Sequence, residues 1–336
     1  MEWYYILLIC IAICIGLFLL EMITLAILTY CLGFGTRHDK NPLLKYYTYE
    51  DFSLKVEEVT VIRKKGALRG YIYFPVSEGN GKLIIFCHGM GPGQIAYTTE
   101  IAYFCRSGFT VLALDSMGCN LSDGKGVGGI YEGARTAIAA IDFARQDDRL
   151  SDMPIYLVGH SWGAYSVLCA CAERKVNAVV AISSPSTSVR TIYNVLTEHN
   201  MPKHVAVPLY PLLVFCDFLK FGTKSNLNAA KVAQKSGTPV LHVYGDNDKI
   251  VPLKGSAYYV ANGENVQKLL VVDRAHNPYA SVEAQKRLNE LNEKVDSLRK
   301  MSKEEKDEFF SNFDYSAATE EDLEVMGKIT QFLTQN

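Results

Sequence analysis

The chain has 336 residues and a net charge of -2 with no basic stripe, so it lacks the electrostatic footprint of a nucleic-acid-binding protein. Hydrophobic residues make up 49% and charged residues 21%, which suits one large α/β core with an insertion and a tail better than two catalytic domains. Nine cysteines without a C-x-x-C pair are too few for a disulfide scaffold and indicate free thiols in a reducing compartment.

An apolar stretch at the N-terminus predicts a membrane anchor. Trp3 to Leu20 is eighteen residues without a charge, and the apolar character resumes after Glu21 and continues to Phe34. Eighteen helical residues supply ~27 Å, close to the ~30 Å hydrocarbon core, so we expect Glu21 at an interfacial end. A cleaved signal peptide is the alternative, but Glu2 stands where such a peptide carries a basic residue, and no small-residue cleavage site follows.

The charges that follow this stretch predict its orientation. Arg37, Lys40 and Lys45 lie just after it, and no lysine or arginine precedes it. The positive-inside bias therefore places the C-terminal domain on the cytoplasmic side of a single-pass membrane protein. The predicted divisions of the chain are an anchor with its flank (1–36), a linker (37–55) and a globular domain (56–336).

Several stretches after the linker predict strands of one sheet. Residues 56–63 and 68–74 alternate apolar and polar positions around K-K-G-A, which is typical of an antiparallel hairpin at a sheet edge. The continuous apolar runs at 82–87 and 109–115 are typical of strands buried on both faces. A helix is predicted over 131–145, where alanines recur on one face.

The stretch M-P-I-Y-L-V-G-H-S-W-G, residues 153–163, predicts a sharp turn between a strand and a helix. Its apolar run enters a serine, Ser161, that stands between Gly159 and Gly163, and the alanine-rich residues 162–171 form the helix. The glycines let the strand and the helix approach closely around a strained residue. Ser161 is therefore the candidate nucleophile of a nucleophile elbow, with the positive helix end beside it.

The alternation of strands and helices predicts the architecture. A further buried strand follows over 176–183, so the sheet is mostly parallel and doubly wound. In such a sheet, ligands collect at the carboxyl ends of the strands. Ser161, His88 and the loop after Asp115 all fall at that edge, where we expect the functional site.

Two insertions interrupt the predicted fold. Residues 185–238 have no strand pattern and contain the apolar stretch 207–221, which predicts a helical cap that packs on the core, with contact to an acyl group or to the bilayer as the alternative. Residues 281–318 show helical spacing among many charges, with Ser302 and Glu305 as a capping box, before a final helix.

The serine requires a base and a carboxylate. A serine hydroxyl is a weak nucleophile at neutral pH, and a histidine oriented by an acid activates it. His276 lies in the loop D-R-A-H-N-P at the sheet edge, whereas the other histidines follow the anchor, sit in turn motifs, lie in the insertion or stand mid-strand. Asp246 and Asp248, in G-D-N-D after the strand 240–244, are the candidate acids.

The order of these motifs resembles that of α/β-hydrolases. H-G-M-G, D-S-M-G-C-N-L-S-D-G, G-H-S-W-G, G-D-N-D-K-I-V-P and R-A-H-N follow one another as in that family, over about residues 56–333. With its N-terminal apolar stretch, the chain is similar to membrane-anchored bacterial members whose substrates are mostly unassigned. The second motif departs from the commoner D-x-R-G-x-G-x-S form, with Met117 in place of arginine and Asn120 in place of glycine.

The resemblance implies roles for particular residues. It puts the acid at Asp248, the second aspartate of G-D-x-D, and leaves Asp246 as a turn residue. The backbone amides of Met90 and Trp162 are the expected oxyanion-hole donors. Trp162 and Met117 are candidates for substrate binding, and neither the residues nor the resemblance points to a metal or a cofactor.

These residues predict a membrane-anchored serine hydrolase. The expected substrate is a small-molecule or lipid-like ester, thioester or similar acyl compound, cleaved through an acyl-enzyme by Ser161, His276 and Asp248. A serine peptidase related to aminopeptidases, or an acyltransferase on the same triad, is the alternative within chemistry. A receptor or scaffold without activity is the alternative outside it, since the fold alone names no substrate.

Overall fold

In a computed structural model of the chain, which describes residues 3–42, 44–192, 202–298 and 300–336, eight strands form one sheet. The sheet order is β1-β2-β4-β3-β5-β6-β7-β8, with β1 antiparallel to β2, β2 antiparallel to β4, and the remaining neighbours parallel. The predicted edge hairpin and the mostly parallel, doubly wound sheet are thus confirmed. The strands are β1 Val56–Arg63, β2 Gly66–Tyr73, β3 Leu83–Cys87, β4 Thr110–Leu114, β5 Ile155–His160, β6 Ala178–Ile182, β7 Val240–Gly245 and β8 Val266–Val271.

Helices cover both faces of this sheet and also precede it. The helices are α1 Trp3–Phe34, α2 Thr98–Arg106, α3 Tyr131–Ala144, α4 Trp162–Cys171, α5 Lys203–Phe221, α6 Ala229–Ser236, α7 Ala257–Val260, α8 Val282–Leu298, α9 Lys303–Asn312, α10 Tyr315–Ala318 and α11 Leu323–Gln335. Both glycines of the predicted turn between β5 and α4 end up against backbone atoms, and α4 has the predicted bounds.

Two apolar cores sandwich the sheet. On one face, α3, α4 and α6 pack against the strands, and α1 and α5 add side chains to the same core. On the other face, the core is built by α2 and α11. The strands β3, β4 and β5 are buried along their whole length, because both of their faces are covered by helices. This arrangement fixes the carboxyl ends of the parallel strands, where the candidate site lies.

The N-terminal helix α1 is joined to the domain by its second half. Ala26, Tyr30 and Phe34 are buried, and the Tyr30 hydroxyl donates to Asp217 Oδ1 of α5 at 2.8 Å. The first half, residues 3–20, is exposed and entirely uncharged. Among the described residues, α1 and the helical stretch His204–Ser236 are both long and apolar enough to cross a bilayer.

The segment predicted as a linker is held by the domain. The Arg37 guanidinium donates to the carbonyl oxygens of Ser122, Gly124 and Asn120 at 2.6–2.9 Å, and Leu54 is buried. The described part of the chain between α1 and β1 is therefore attached to the domain near both of its ends.

Helices form both predicted insertions. In the first, α5 buries one face against the domain and exposes the other, while the insertion's residues 193–201 lie outside the described part of the chain. In the second, α8 to α10 precede α11, and Ser302 and Glu305 form the predicted capping box at the start of α9.

Candidate active site

The candidate nucleophile Ser161 occupies the turn between β5 and α4. Its backbone has φ 55° and ψ -117°, a conformation that non-glycine residues rarely adopt. The turn closes so tightly that a Cβ at Gly159 would lie 2.4 Å from the Gly163 carbonyl oxygen, and one at Gly163 would lie 1.9 Å from that of Cys87. The Ser161 amide donates to the Ile182 carbonyl at 2.8 Å, which holds the strained residue in place.

A histidine and an aspartate are paired at the same edge of the sheet. His276 Nδ1 lies 2.9 Å from Asp248 Oδ2, and the Asp248 side chain has no solvent exposure. The other carboxylate oxygen accepts the amides of Ile250 and Val251, each at 2.9 Å. Because the carboxylate is held on both oxygens, it fixes the His276 ring with Nδ1 protonated and Nε2 free to accept a proton.

The neighbouring aspartate has a different role. Asp246 is exposed and accepts the Arg274 amide at 3.3 Å, so it shapes the loop that carries His276. Of the two candidate acids, only Asp248 contacts the His276 ring.

A tyrosine and a second histidine connect the turn after β3 to the loop of His276. His160 Nε2 lies 3.0 Å from the His276 carbonyl, which only accepts, so Nε2 carries the proton. His160 Nδ1 then accepts from the Tyr97 hydroxyl at 2.9 Å, and the Tyr97 oxygen accepts the Gly89 amide at 3.0 Å. Burial, together with the proximity of the His276 ring, lowers the pKa of His160 to about 3, so the His160 ring stays neutral.

The histidine of the H-G-M-G motif braces the turn after β3. His88 Nδ1 donates to the Gly89 carbonyl at 2.6 Å, and its Nε2 accepts the Ser116 amide at 2.9 Å. Burial lowers the pKa of His88, so the ring is neutral and keeps these two roles. The turn that presents Met90 is thereby tied to the loop after β4.

The loop after β4 is organised by a buried aspartate. Asp115 accepts the amides of Gln94 and Leu121 at 2.7 and 3.1 Å, and the Asn120 side chain at 3.1 Å. Asn120 has φ 37°, a left-handed conformation that asparagine tolerates better than most residues. This explains how asparagine serves where the motif commonly has glycine, and it makes Asp115 a turn-forming residue.

Ser161 and His276 line a cavity of about 220 Å³. Its walls combine the candidate nucleophile and base with apolar side chains and the two expected oxyanion positions: Gly89, Met90, Tyr97, His160, Ser161, Trp162, Pro185, Thr191, Ile250, Val251 and His276. The positive end of α4 faces this space, which suits it to stabilise a developing negative charge.

The two candidate substrate-binding residues have different positions. Trp162 borders the cavity, but its side chain is buried and its indole N–H donates to the Ile130 carbonyl at 2.6 Å. Met117 is buried outside the cavity, where its methyl group approaches Gly66 and Gly124. Met117 is therefore a packing residue in this structure, because the chain turns it toward the edge hairpin and away from Ser161.

Two further groups belong to the surroundings of the site, Tyr97 and a buried acid behind it, Glu100. Tyr279, whose ring contacts His160 at 5.3 Å between centroids, also interacts with the Glu100 carboxyl. Burial raises the pKa of Glu100 to about 7, and the neighbouring Glu321 carboxyl adds to this effect. Neither Tyr97 nor Glu100 belongs to a motif, so the sequence carries no distinctive signal for them.

Comparisons with known proteins address the fold. A sequence model of a family described as alpha/beta hydrolase fold matches residues 82–205. No curated protein matches the chain significantly. An esterase from Pyrococcus furiosus is similar in structure, with a TM-score of 0.56 and 19% identity over 79% of this chain and 98% of the esterase. An acylaminoacyl peptidase from Pyrococcus horikoshii has a TM-score of 0.50 and 16% identity over 69% of this chain and 38% of the peptidase.

At these identities the likeness concerns the fold, and it agrees with the sheet and the turn described above. The family match spans β3 to the first insertion, which includes H-G-M-G and G-H-S-W-G, and the structural likeness extends over most of the chain. The fold that the motif order predicts is therefore confirmed, and this chain is an α/β-hydrolase-fold protein.

Proposed function

We propose that this protein is a serine hydrolase that cleaves an ester, thioester or similar acyl bond through an acyl-enzyme. The proposal depends on one observation above all, the 2.9 Å contact between His276 Nδ1 and Asp248 Oδ2 beside a cavity that Ser161 also lines. A serine in a strained turn, a histidine base and a buried carboxylate are the parts that acyl transfer requires.

The proposed reaction proceeds in two halves. Ser161 Oγ attacks the acyl carbonyl while His276 Nε2 takes its proton, and the amides of Met90 and Trp162 donate to the oxyanion. The leaving group takes the proton from His276 and departs, which leaves the acyl group on Ser161. A water molecule then attacks the acyl carbonyl while His276 takes its proton; His276 returns a proton to Ser161 Oγ as the bond to the acyl group breaks, so the carboxylic acid is released and Ser161 is free again.

The walls of the cavity favour an apolar acyl group. Met90, Ile250 and Val251 present hydrophobic surface next to the candidate nucleophile. The volume of about 220 Å³ is below the ~300–1,000 Å³ typical of ligand pockets, which favours a short acyl chain.

We also propose that α1 attaches the enzyme to a membrane, with the hydrolase domain on the cytoplasmic side. The support is the exposed uncharged stretch 3–20 and the basic residues Arg37, Lys40 and Lys45 that follow the helix. Protease added to intact cells should leave the domain uncut, and cutting of the domain would reverse the orientation without changing the catalytic assignment.

Reaction with a fluorophosphonate probe tests the nucleophile in the detergent-solubilised full chain. We expect one labelled site, Ser161, because only an activated serine beside an oxyanion hole reacts quickly. Ser161→Ala should abolish labelling, whereas Ser311→Ala, on the surface of α9, should label like the wild type. Labelling of the Ser161→Ala variant at the wild-type rate would refute the assignment.

A panel of substrates separates ester hydrolysis from peptidase activity on the same triad. p-Nitrophenyl esters of increasing chain length release p-nitrophenolate and aminoacyl p-nitroanilides release p-nitroaniline, so absorbance follows both reactions, and each rate is divided by that of the uncatalysed reaction before the two classes are compared. We expect the short esters to be cleaved fastest. Faster cleavage of the anilides would identify a peptidase, and transfer of the acyl group to an added alcohol in preference to water would identify an acyltransferase.

A further inference from the structure

The helix α5 carries an apolar stripe on its outer face. Val207, Phe215, Phe218 and Leu219 are 60%, 55%, 48% and 70% exposed, and they recur at helical spacing with Pro208 and Pro211 between them. The opposite face of α5 is buried in the core, through residues such as Leu209 and Leu213. A helix that is apolar on all sides is characteristic of a fully buried environment.

The second half of α1 continues this stripe. It packs directly against α5, and its Ile27, Leu28 and Leu32 side chains are 50%, 54% and 70% exposed. The two helices are locked by the buried bond from Tyr30 to Asp217. Their outer sides therefore form one surface, which we call the α1–α5 surface, made of the exposed apolar residues of 22–34 and 207–219.

The features of this surface favour a bilayer over a protein partner. The 32 residues of α1 form a helix of ~48 Å, longer than the ~30 Å hydrocarbon core, so the helix carries its exposed apolar side chains beyond the span itself. The surface is thus continuous with the part of α1 that spans the membrane. Exposed Lys220 ends the stripe on α5, and Lys65 of the β1–β2 turn lies close enough for the two charges to interact. An apolar face with basic residues at its rim suits anionic headgroups.

We propose that the α1–α5 surface lies in the interfacial layer of an anionic bilayer and makes α5 a second membrane-contacting element. This rests on the proposed attachment through α1. The second contact fixes the orientation of the hydrolase domain relative to the membrane. With a single anchor, the domain would be free to reorient on the segment 37–55.

Hydrophobic photolabelling of the full chain tests this placement. A carbene-generating probe is dissolved in vesicles of phosphatidylcholine and phosphatidylglycerol that contain the protein, and labelled residues are identified by mass spectrometry. Leu323 of α11 is the internal control, since it is 70% exposed like Leu219 but belongs to the helix layer on the opposite face of the sheet. We expect labelling at Phe215, Phe218 and Leu219 to exceed that at Leu323 by at least about fivefold, because the probe concentrates in the bilayer.

A variant and its control sharpen the result. Phe218→Glu should reduce labelling at Leu219 severalfold by lifting this face toward water, whereas Leu323→Glu should leave it unchanged. If α1 is labelled but α5 is labelled no more than Leu323, the inference about α5 is overturned and the anchor through α1 stands. If neither helix is labelled, the attachment through α1 and the membrane contact of α5 are both overturned. Reaction of Ser161 with the fluorophosphonate probe is independent of all these outcomes, so the hydrolase assignment fails or stands separately.

Discussion

The proposed catalytic residues Ser161, Asp248 and His276 lie at one edge of the sheet, which we call the catalytic edge. This edge and the α1–α5 surface are built in opposite ways. At the edge, two side chains of the candidate site have partners within the chain on each of their polar atoms: Asp248 is held on both oxygens, and His160 has a partner on each ring nitrogen. At the α1–α5 surface, apolar side chains point both inward and outward, and the buried hydrogen bond from Tyr30 to Asp217 joins the helices.

The difference shows which part of the molecule is complete by itself. A site whose hydrogen bonds close within the chain keeps its geometry in any solvent that permits folding. A surface with an exposed apolar stripe depends on what covers it. Substitutions at the catalytic edge should therefore change turnover without changing contact with the membrane, and those at the α1–α5 surface should change membrane contact or stability without changing turnover.

Asp248→Asn should give the largest effect and is the strongest test of the catalytic side. The amide can support the wrong His276 tautomer, so kcat should fall about 10³- to 10⁴-fold while the fold persists. Asp246→Asn, its control on the same loop, should stay within about threefold, because asparagine still accepts the Arg274 amide. Steady-state kinetics with an activated ester measures both, and the reverse ranking would make Asp246 the acid.

The structure brings the residues that the sequence singles out to one edge of the sheet, because short-range rules determine the turn at Ser161. The two glycines of G-x-S-x-G are required because a Cβ at Gly159 or Gly163 would clash with backbone atoms. The bounds of α4 and the positions of the strands along the chain followed from apolar runs broken by glycine-rich turns. The pairing of Asp248 with His276, by contrast, followed from the resemblance, since both aspartates of G-D-N-D were open choices from the residues alone.

What the sequence left open depends on long-range packing. Tyr97 acts through a contact with His160, 63 positions away, and nothing near it in the chain marks this role. Met117 was a candidate for the pocket, but the loop after β4 turns its side chain toward Gly66. The stretch 207–221 was predicted to pack on the core, and only the structure separates its buried face from its exposed one.

Glu100→Gln tests whether the buried Glu100 carboxyl, behind the catalytic edge, makes the free energy of unfolding depend on pH. The folded-state pKa of about 7 is above the ordinary value of 4.5, so the folded chain binds more protons than the unfolded chain between these values. Wild-type stability should fall as pH rises through this window. Glutamine cannot ionise, so the variant should gain up to about 3 kcal/mol at pH 8 and little near pH 5.

Thermal unfolding of the detergent-solubilised chain at the two pH values measures this difference. Glu324→Gln is the control, since this acid is exposed on α11 and pairs with Lys328 on the surface. A gain from Glu100→Gln that is equal at both pH values would contradict the proposed ionisation.

Tyr30→Phe tests the bond that joins α1 and α5. It removes the Tyr30 hydroxyl that donates to Asp217 in a buried site, which should lower the free energy of unfolding by about 1–3 kcal/mol. The rate of fluorophosphonate reaction at Ser161 should not change, because no group of the cavity contacts this pair. Tyr4→Phe, on the exposed half of α1, should change neither quantity. A loss of Ser161 reactivity together with stability would show that the two regions are coupled.

Tyr97→Phe should give the smallest effect and sharpens the account of the catalytic edge. The Tyr97 hydroxyl accepts the Gly89 amide next to Met90 and donates to His160, whose other nitrogen holds the His276 loop. Without it, the turn of the oxyanion amide and the loop of the base lose their shared anchor. With about 1 kcal/mol per lost hydrogen bond, kcat should fall roughly tenfold while KM stays constant, because a positioning residue acts mainly on the transition state. Tyr103→Phe, on α2, should have wild-type kinetics, and a rise in KM at unchanged kcat for Tyr97→Phe would instead indicate that the hydroxyl contacts the bound substrate.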